Sequence, residues 1–251
     1  MKRRFPDFIL QHAQSSGVRI MVDAEQTYFQ PAIRRITMEM MRLFNHESAV
    51  IFNTYQCYLK NAREYLNHDL QHARVENFYF GAKFVRGAYM DQERARAAAL
   101  DYDDPICVDY EATTNMYKSC VIEALKAIQQ RPIGRVAIMM ATHNEDTVRF
   151  VLEKDILFRL VTVLNYYPRT PASMKLFLFA YPFVDPIHNV GQNGYSVYKY
   201  VPYGPVEEVL PYLSRRALEN GSILSNTKVE RQLMWAELKR RLRNRQFFYQ
   251  P

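Results

Sequence analysis

The feature that most constrains this chain is an alternation running through residues 18–154. Short runs rich in β-branched and aromatic residues occur at Val18–Val22, Ala49–Phe52, Phe78–Val85 and Val136–Met140. Segments with apolar residues at helical spacing lie between them: Pro31–Phe44, a stretch through Leu59, Ala62 and Leu66, then Arg94–Leu100 and Ala112–Ile128, with Thr147–Leu152 after the last run. Strands separated by helices cannot pair as hairpins, so the pattern predicts parallel βαβ units. Tyr198–Asn220 adds one more: Val197–Val201 alternates as a strand, Pro202-Tyr203-Gly204-Pro205 turns the chain, and Val206, Val209, Leu210, Leu213 and Leu218 recur at helical spacing. Pro205 suits a first helical turn and Gly221 a stop.

Polar residues gather where the strands end: Asp23, Gln56, Arg86 with Tyr89, Thr142 with His143, and Tyr200. In a (β/α) barrel the site is assembled from the carboxyl ends of several strands, so a series of such clusters predicts an active site there. Taken singly, Asp23 and Asn144 read as helix caps. Arg215 and Arg216, near the end of the last helix, read two ways. They project about 100° apart, which lets them flank a small anion, a carboxylate above all. The same pair in a last helical turn complements the helix dipole and faces water.

With 251 residues, 48% of them apolar, the chain can bury a sizeable core. Cys57, Cys107 and Cys120 are too few and too scattered for a disulfide framework, which points to a reducing compartment. The formal charge of +7 is concentrated at the ends, in Lys2, Arg3 and Arg4 and in Lys228, Arg231, Lys239, Arg240, Arg241, Arg243 and Arg245. These are not interleaved with aromatics as in a nucleic-acid module, so no nucleic-acid partner is expected. The basic C-terminal segment also carries Leu233, Met234, Leu238 and Leu242, a stripe suited either to capping a domain or to resting on an anionic membrane. No run reaches a membrane span, and Met1–Val18 shows no transit-peptide pattern.

Five stretches, MVDAEQTYFQP, NTYQCYL, KFVRGAYMDQERARA, ATHNEDTVRF and VYKYVPYGPVEEVLPYLSRRALENG, carry a resemblance. In this order and spacing they resemble the signature blocks of mitochondrial proline dehydrogenase (proline oxidase), a flavoenzyme family built on a distorted (β/α)8 TIM-type barrel. The resemblance covers about 18–154 and 191–251. It implies an oxidoreductase acting on a CH–NH donor: oxidation of L-proline to 1-pyrroline-5-carboxylate with FAD, the first step of proline catabolism to glutamate. Electrons would pass to a quinone on the matrix side of the inner membrane, and no metal is implied.

Site residues follow from the same resemblance. Arg215 and Arg216 match the pair that holds the proline carboxylate, and Asp23 the acid that supports them. Tyr89, Tyr200 and Tyr212 match the wall of the substrate ring. Ala24, Gln56, Lys83, Arg86, Gly87, Ala88, Thr142, His143 and Glu219 match flavin-contacting positions, with Lys83 supplying a cation near the reduced cofactor. Lys83 and Asp23 are the residues assigned to catalysis. By its place in the run, Lys83 otherwise reads as an inward strand residue with a snorkelling stem.

Two departures set a second expectation. Seventeen residues precede Val18, where the family carries further barrel strands and a lysine for the substrate carboxylate. Residues 155–190, aromatic-rich and with four prolines, replace the family's Phe-Gly-Gln-Leu-type strand and read as a substituted segment, although Leu176–Ala180 keeps a strand period. The expected organisation is a lead-in helix or tail at 1–17 and one incomplete catalytic barrel at 18–251. The alternative reading is a catalytically silent fragment that serves as an interaction protein, because a parallel sheet with missing strands leaves an unpaired edge.

Overall fold

In the computed structural model the described residues are 4–142, 144, 146–154, 202–219, 235, 238–240, 242 and 243. The chain divides into two compact units, Met1–Leu176 and Phe177–Pro251.

Among the described residues, the first unit is built on four parallel strands in sequential order: β1 (Ile20–Val22), β2 (Ile51–Gln56), β3 (Phe80–Val85) and β4 (Val136–Ala141). Ile20 aligns with Ile51, Thr54 with Lys83, and Lys83 with Met139. Helices fill the crossovers. These are α2 (Gln30–Phe44) after β1, α3 (Ala62–Val75) after β2, and α4 (Met90–Leu100) with α5 (Tyr110–Gln130) after β3. A lead-in helix, α1 (Arg4–Ser15), precedes β1, and residues 146–154 are helical after β4. This is the α/β alternation expected from the sequence.

Two boundaries move, each for a local reason. Asn53-Thr54-Tyr55-Gln56, expected to leave the second strand, continues it, because Tyr55 and Gln56 pair with Phe84 and Val85. α4 starts at Met90 rather than Arg94. Asp91 and Glu93 suit the positive end of a helix, and the backbone N–H of Glu93 already donates to Tyr89 O at 2.9 Å. α5 is started by Asp109, whose carboxylate accepts from Ala112 N at 2.7 Å. Past the end of α2, fully buried Asn45 accepts from the N–H groups of Val50 and Ile51 and donates to the carbonyls of Ile51 and Tyr79, so one side chain ties the end of α2 to the entrances of β2 and β3.

Side chains alternate across the sheet. One face carries Ile51 and Tyr55, Phe80, Ala82 and Phe84, and Ile138 and Met140, and packs on the helices. Phe84 meets Tyr117 of α5 edge-on at 6.4 Å, and the Tyr55 hydroxyl donates to Asp69 of α3 at 2.7 Å. Fully burying one such aromatic contributes about 1.5–3 kcal/mol, so this face supplies most of the cohesion between sheet and helices. The opposite face, which would be the interior of a barrel, carries Met21, Phe52, Thr54, Gln56, Gly81, Lys83, Val85, Met139 and Ala141. Gly81 has to be glycine there. A Cβ would stand 2.5 Å from Ile51 O and 2.8 Å from the Phe52 ring.

In the second unit, α6 (Val206–Glu219) follows the turn at Pro202–Pro205, with the Pro205 carbonyl accepting from Glu208 N and Val209 N at 3.0 Å. The strands expected at Val197–Val201 and Leu176–Ala180, and the whole of 155–190, lie outside the described residues. Among the described residues no helix is long and apolar enough to cross a membrane.

Candidate active site at the carboxyl ends of the strands

The interior face of the sheet ends in polar side chains. Lys83, on β3, is 4% exposed, a position that a lysine takes only with partners, since a buried cation without them is strongly unfavourable. Its Nζ donates to Oδ1 of Asp23, the residue that follows β1. Lys83 therefore reaches past Thr54, its neighbour on β2, to the far side of the sheet. Thr54 Oγ1 donates to Val22 O at 2.7 Å and fixes the end of β1 there. The Asp23 carboxylate itself is 68% exposed. The pair thus has a buried cationic end and an open anionic end, and Asp23 acts as an ion-pair partner rather than as a helix cap.

Gln56, at the end of β2 and 5% exposed, donates through Nε2 to Glu25 O at 2.6 Å and to the Tyr58 hydroxyl at 2.8 Å. Burial pushes the Tyr58 phenol well above its usual range, so it stays neutral. This contact holds the chain that runs from Asp23 and Ala24 into α2. Arg86 leaves β3 and is fixed on two sides: Nη2 donates to Thr114 Oγ1 at 2.5 Å, Nη1 to Thr147 Oγ1 at 3.2 Å, and the guanidinium lies 4.6 Å over the Tyr110 ring. After Gly87 and Ala88, Tyr89 adopts the left-handed conformation with φ 58°, an uncommon state for a bulky residue that concentrates at functional sites.

At the end of β4, Thr142 is 2% exposed and its Oγ1 accepts from Asn144 N at 3.1 Å. Asn144 is a helix cap, as its sequence position suggests: Oδ1 accepts from Thr147 N at 2.8 Å and from Thr147 Oγ1 at 2.7 Å, while Nδ2 donates to the Tyr110 hydroxyl. Asp23, Ala24, Gln56, Lys83, Arg86, Gly87, Ala88, Tyr89 and Thr142 therefore all stand at one end of one sheet. His143 and Tyr200 lie outside the described residues. Tyr212, Arg215, Arg216 and Glu219 belong to α6, where their i, i+3, i+4, i+7 spacing puts their backbone positions on one stripe, and their side chains lie outside the described set.

Several residues that shape this end were not legible in sequence. Thr114 and Thr147 hold Arg86 from two different helices, and Tyr58 holds Gln56. Thr27 donates from both its backbone N–H, at 2.7 Å, and its hydroxyl, at 2.6 Å, to the carboxylate of Glu93. Glu93 carried only the signal of an acid in a first helical turn, which helix-dipole reasoning absorbs without suggesting a partner. Cys57, Cys107 and Cys120 are free and buried, and burial drives the Cys57 thiol well above its ordinary range, so it is no nucleophile. Among the described residues no three His, Cys, Asp or Glu side chains converge as a metal site.

The arrangement offers the N–H groups of Arg86 and the buried Lys83 cation at the end of β3, with two small residues, Gly87 and Ala88, where backbone can approach a ligand. Such an end suits a ligand bearing carbonyls or negative charge.

Comparison with known proteins gives the chain a family and a fold. The family model described as proline dehydrogenase matches residues 7–229. The chain is 51% identical over 248 residues to mitochondrial proline dehydrogenase 1 of Caenorhabditis elegans and 52% identical over 254 residues to the Homo sapiens protein of that name, covering 98% of this chain in each case. It spans 39% of the length of each of those relatives. Among solved structures, proline utilization A from Bdellovibrio bacteriovorus matches with a TM-score of 0.71 at 20% identity, over 84% of this chain and 21% of that one. That likeness speaks for the fold, the α/β class of a (β/α)8-type barrel. Matched over nearly its whole length by the family model and about half identical to curated members, the chain belongs to the proline dehydrogenase family.

Proposed function

We propose that this chain oxidises L-proline to 1-pyrroline-5-carboxylate with FAD and passes the electrons to a quinone in the mitochondrion. The observation that carries the reading is the Lys83–Asp23 pair: a buried cation near the carboxyl end of a parallel sheet whose strands also end at Gln56, Arg86 and Thr142. A structural lysine would gain nothing from that position that an apolar side chain could not supply more cheaply. The mitochondrial names of the relatives support the compartment. Residues 18–251 would form the catalytic barrel domain, with 1–17 as its lead-in.

The donor set fits a flavin. Gln56, Lys83, Arg86, Gly87, Ala88 and Thr142 would hold it, joined by Ala24, His143 and Glu219. The chemistry that bound FAD supplies is acceptance of the hydride that proline loses from the ring carbon next to nitrogen. Lys83 keeps a positive charge where negative charge accumulates, and its burial strengthens that interaction. Asp23 holds the Lys83 ammonium in place. Arg215 and Arg216 take the proline carboxylate through paired N–H donors, with Tyr89, Tyr200 and Tyr212 walling the ring. Exposed Trp235, Leu238 and Leu242, beside Lys239, Arg240 and Arg243, support contact with an anionic membrane surface where quinone is available.

The test is the visible spectrum of the purified chain, followed by anaerobic addition of proline. A bound-flavin spectrum that bleaches with proline is the expected result. A protein that stays colourless after added FAD would overturn the proposal in favour of a silent, interaction-only chain.

A further inference from the structure

Two neighbouring ends of the site belong to different βα units and must be held in register: the segment after β1, which carries Asp23, and the start of α4, which carries Tyr89. One side chain spans them. Glu93 is 2% exposed, and its two carboxylate oxygens take separate donors from the same residue, Thr27 N at 2.7 Å and Thr27 Oγ1 at 2.6 Å. Through its own backbone N–H, Glu93 donates to Tyr89 O at 2.9 Å. The segment after β1 is meanwhile anchored from the sheet side by Gln56 on Glu25 O and from its own helix by Gln30 Oε1, which accepts from Glu25 N at 3.1 Å.

We propose that Glu93 is a positioning residue, a carboxylate clamp that sets the Asp23 segment against the left-handed turn at Tyr89 and so fixes the spacing between the two sides of the substrate pocket. The substrate assignment rests on the proline reading above, whereas the clamp rests on geometry alone. A buried carboxylate that accepts two hydrogen bonds from one residue makes a directional link, with two bonds fixing both distance and angle. A role in folding alone would be met by an apolar contact at the same place. Such a contact would leave the Asp23 segment free to slide along α4, and a shift of about 1 Å at the reacting groups is enough to cost a hundredfold in rate.

The experiment uses the full chain, and its first readout needs no turnover. Amide hydrogen exchange over residues 24–28 should speed up tenfold or more in Glu93→Ala and in Thr27→Val, with β2 and β3 unchanged. The double variant should be no faster than Glu93→Ala alone, because that variant already removes both bonds, whereas Thr27→Val removes only the hydroxyl bond and leaves the backbone one. Thr27→Ser, which keeps the hydroxyl, should exchange as wild type. Unchanged exchange at 24–28, a speeding spread equally over β2 and β3, or additive effects in the double variant would each overturn the clamp. Where the wild type shows proline-dependent flavin reduction, Glu93→Ala and Thr27→Val should raise KM for proline about tenfold or lower kcat/KM by that factor at wild-type flavin content, and Thr27→Ser should restore it. Wild-type kinetics in Glu93→Ala would also overturn it. A wild type that does not respond to proline defeats the proline reading instead, and exchange then decides the clamp by itself.

Discussion

The two faces of the sheet each bury charge, and they do so differently. On the helix face, Asp69 is nearly inaccessible and is closed on every side: Arg34 donates to it twice, at 2.7 and 2.8 Å, and Tyr55 once. Together the three hydrogen bonds tie two other elements, α2 and β2, to α3, and Arg34 also lies 4.9 Å over the Tyr65 ring. The pairing raises the Arg34 pKa chiefly through the Asp69 hydrogen bond, while burial pushes the Tyr55 phenol far above its ordinary range. On the interior face, Lys83 is equally buried but its partner, Asp23, is 68% exposed. A closed network leaves no valence for a ligand and reads as architecture. A buried cation with an open acidic partner at a strand end can serve a ligand, because the field it creates reaches the pocket.

The contrast predicts unequal responses to matched substitutions. Asp69→Asn should be the most damaging, lowering unfolding free energy by about 3 kcal/mol, since Arg34 and Tyr55 lose a shared buried partner. Chemical denaturation measures it, and a loss under about 1 kcal/mol would mean that the helix-face network is not architectural.

A smaller effect is expected from pH, again on the helix side of the core. Cys57 is fully buried, and desolvation, followed by the neighbouring Cys120, raises its pKa. A thiol ionises near 8.5 in the unfolded chain. Because the folded value is the higher one, the stability that the neutral thiol contributes is complete below about pH 8.5 and is lost as pH rises above it. Melting temperature should therefore fall from pH 8 to 9.5, equivalent to about 1 kcal/mol, and Cys57→Ala should flatten that slope. An unchanged slope in the variant would assign the effect to other groups.

The smallest stability change is expected at Asp23. Asp23→Asn should cost about 1 kcal/mol or less, because the aspartate is mostly solvated and the amide oxygen still accepts from Lys83. Its effect belongs to activity: proline-dependent flavin reduction should drop while folding is kept. A stability loss as large as that of Asp69→Asn, with turnover intact, would erase the distinction between the two faces.

How much of this was legible in sequence follows from what kind of signal each feature leaves. Strand runs and helical periods placed β1 to β4, α2 and α5 within a few residues and caught the first part of α3 and the latter part of α4, and the cluster ending each strand marked the polar end of the sheet. The misjudged boundaries, Asn53–Gln56 and Met90, lie where polar residues continue an element because a neighbour completes their pairing. Thr27 and Glu93 are 66 residues apart, and the chain between them carries no mark of their meeting.

What the sequence determined by itself was therefore local and periodic: the alternation of strands and helices, the polar strand ends, and the five blocks that identify the family. Periodicity survives in one dimension because hydrophobic burial imposes it on every helix and strand. The tertiary structure alone decided which charges were closed and which were open. Asp23 and Asp69 are alike as letters, one just past β1 and the other within α3. Only the folding of α2 and α3 over one side of the sheet surrounded Asp69 with donors, while the crossing of Lys83 over Thr54 brought a buried ammonium to Asp23. Those differences depend on solvent exclusion and on the distances between residues far apart in the chain, and neither quantity exists before the chain folds.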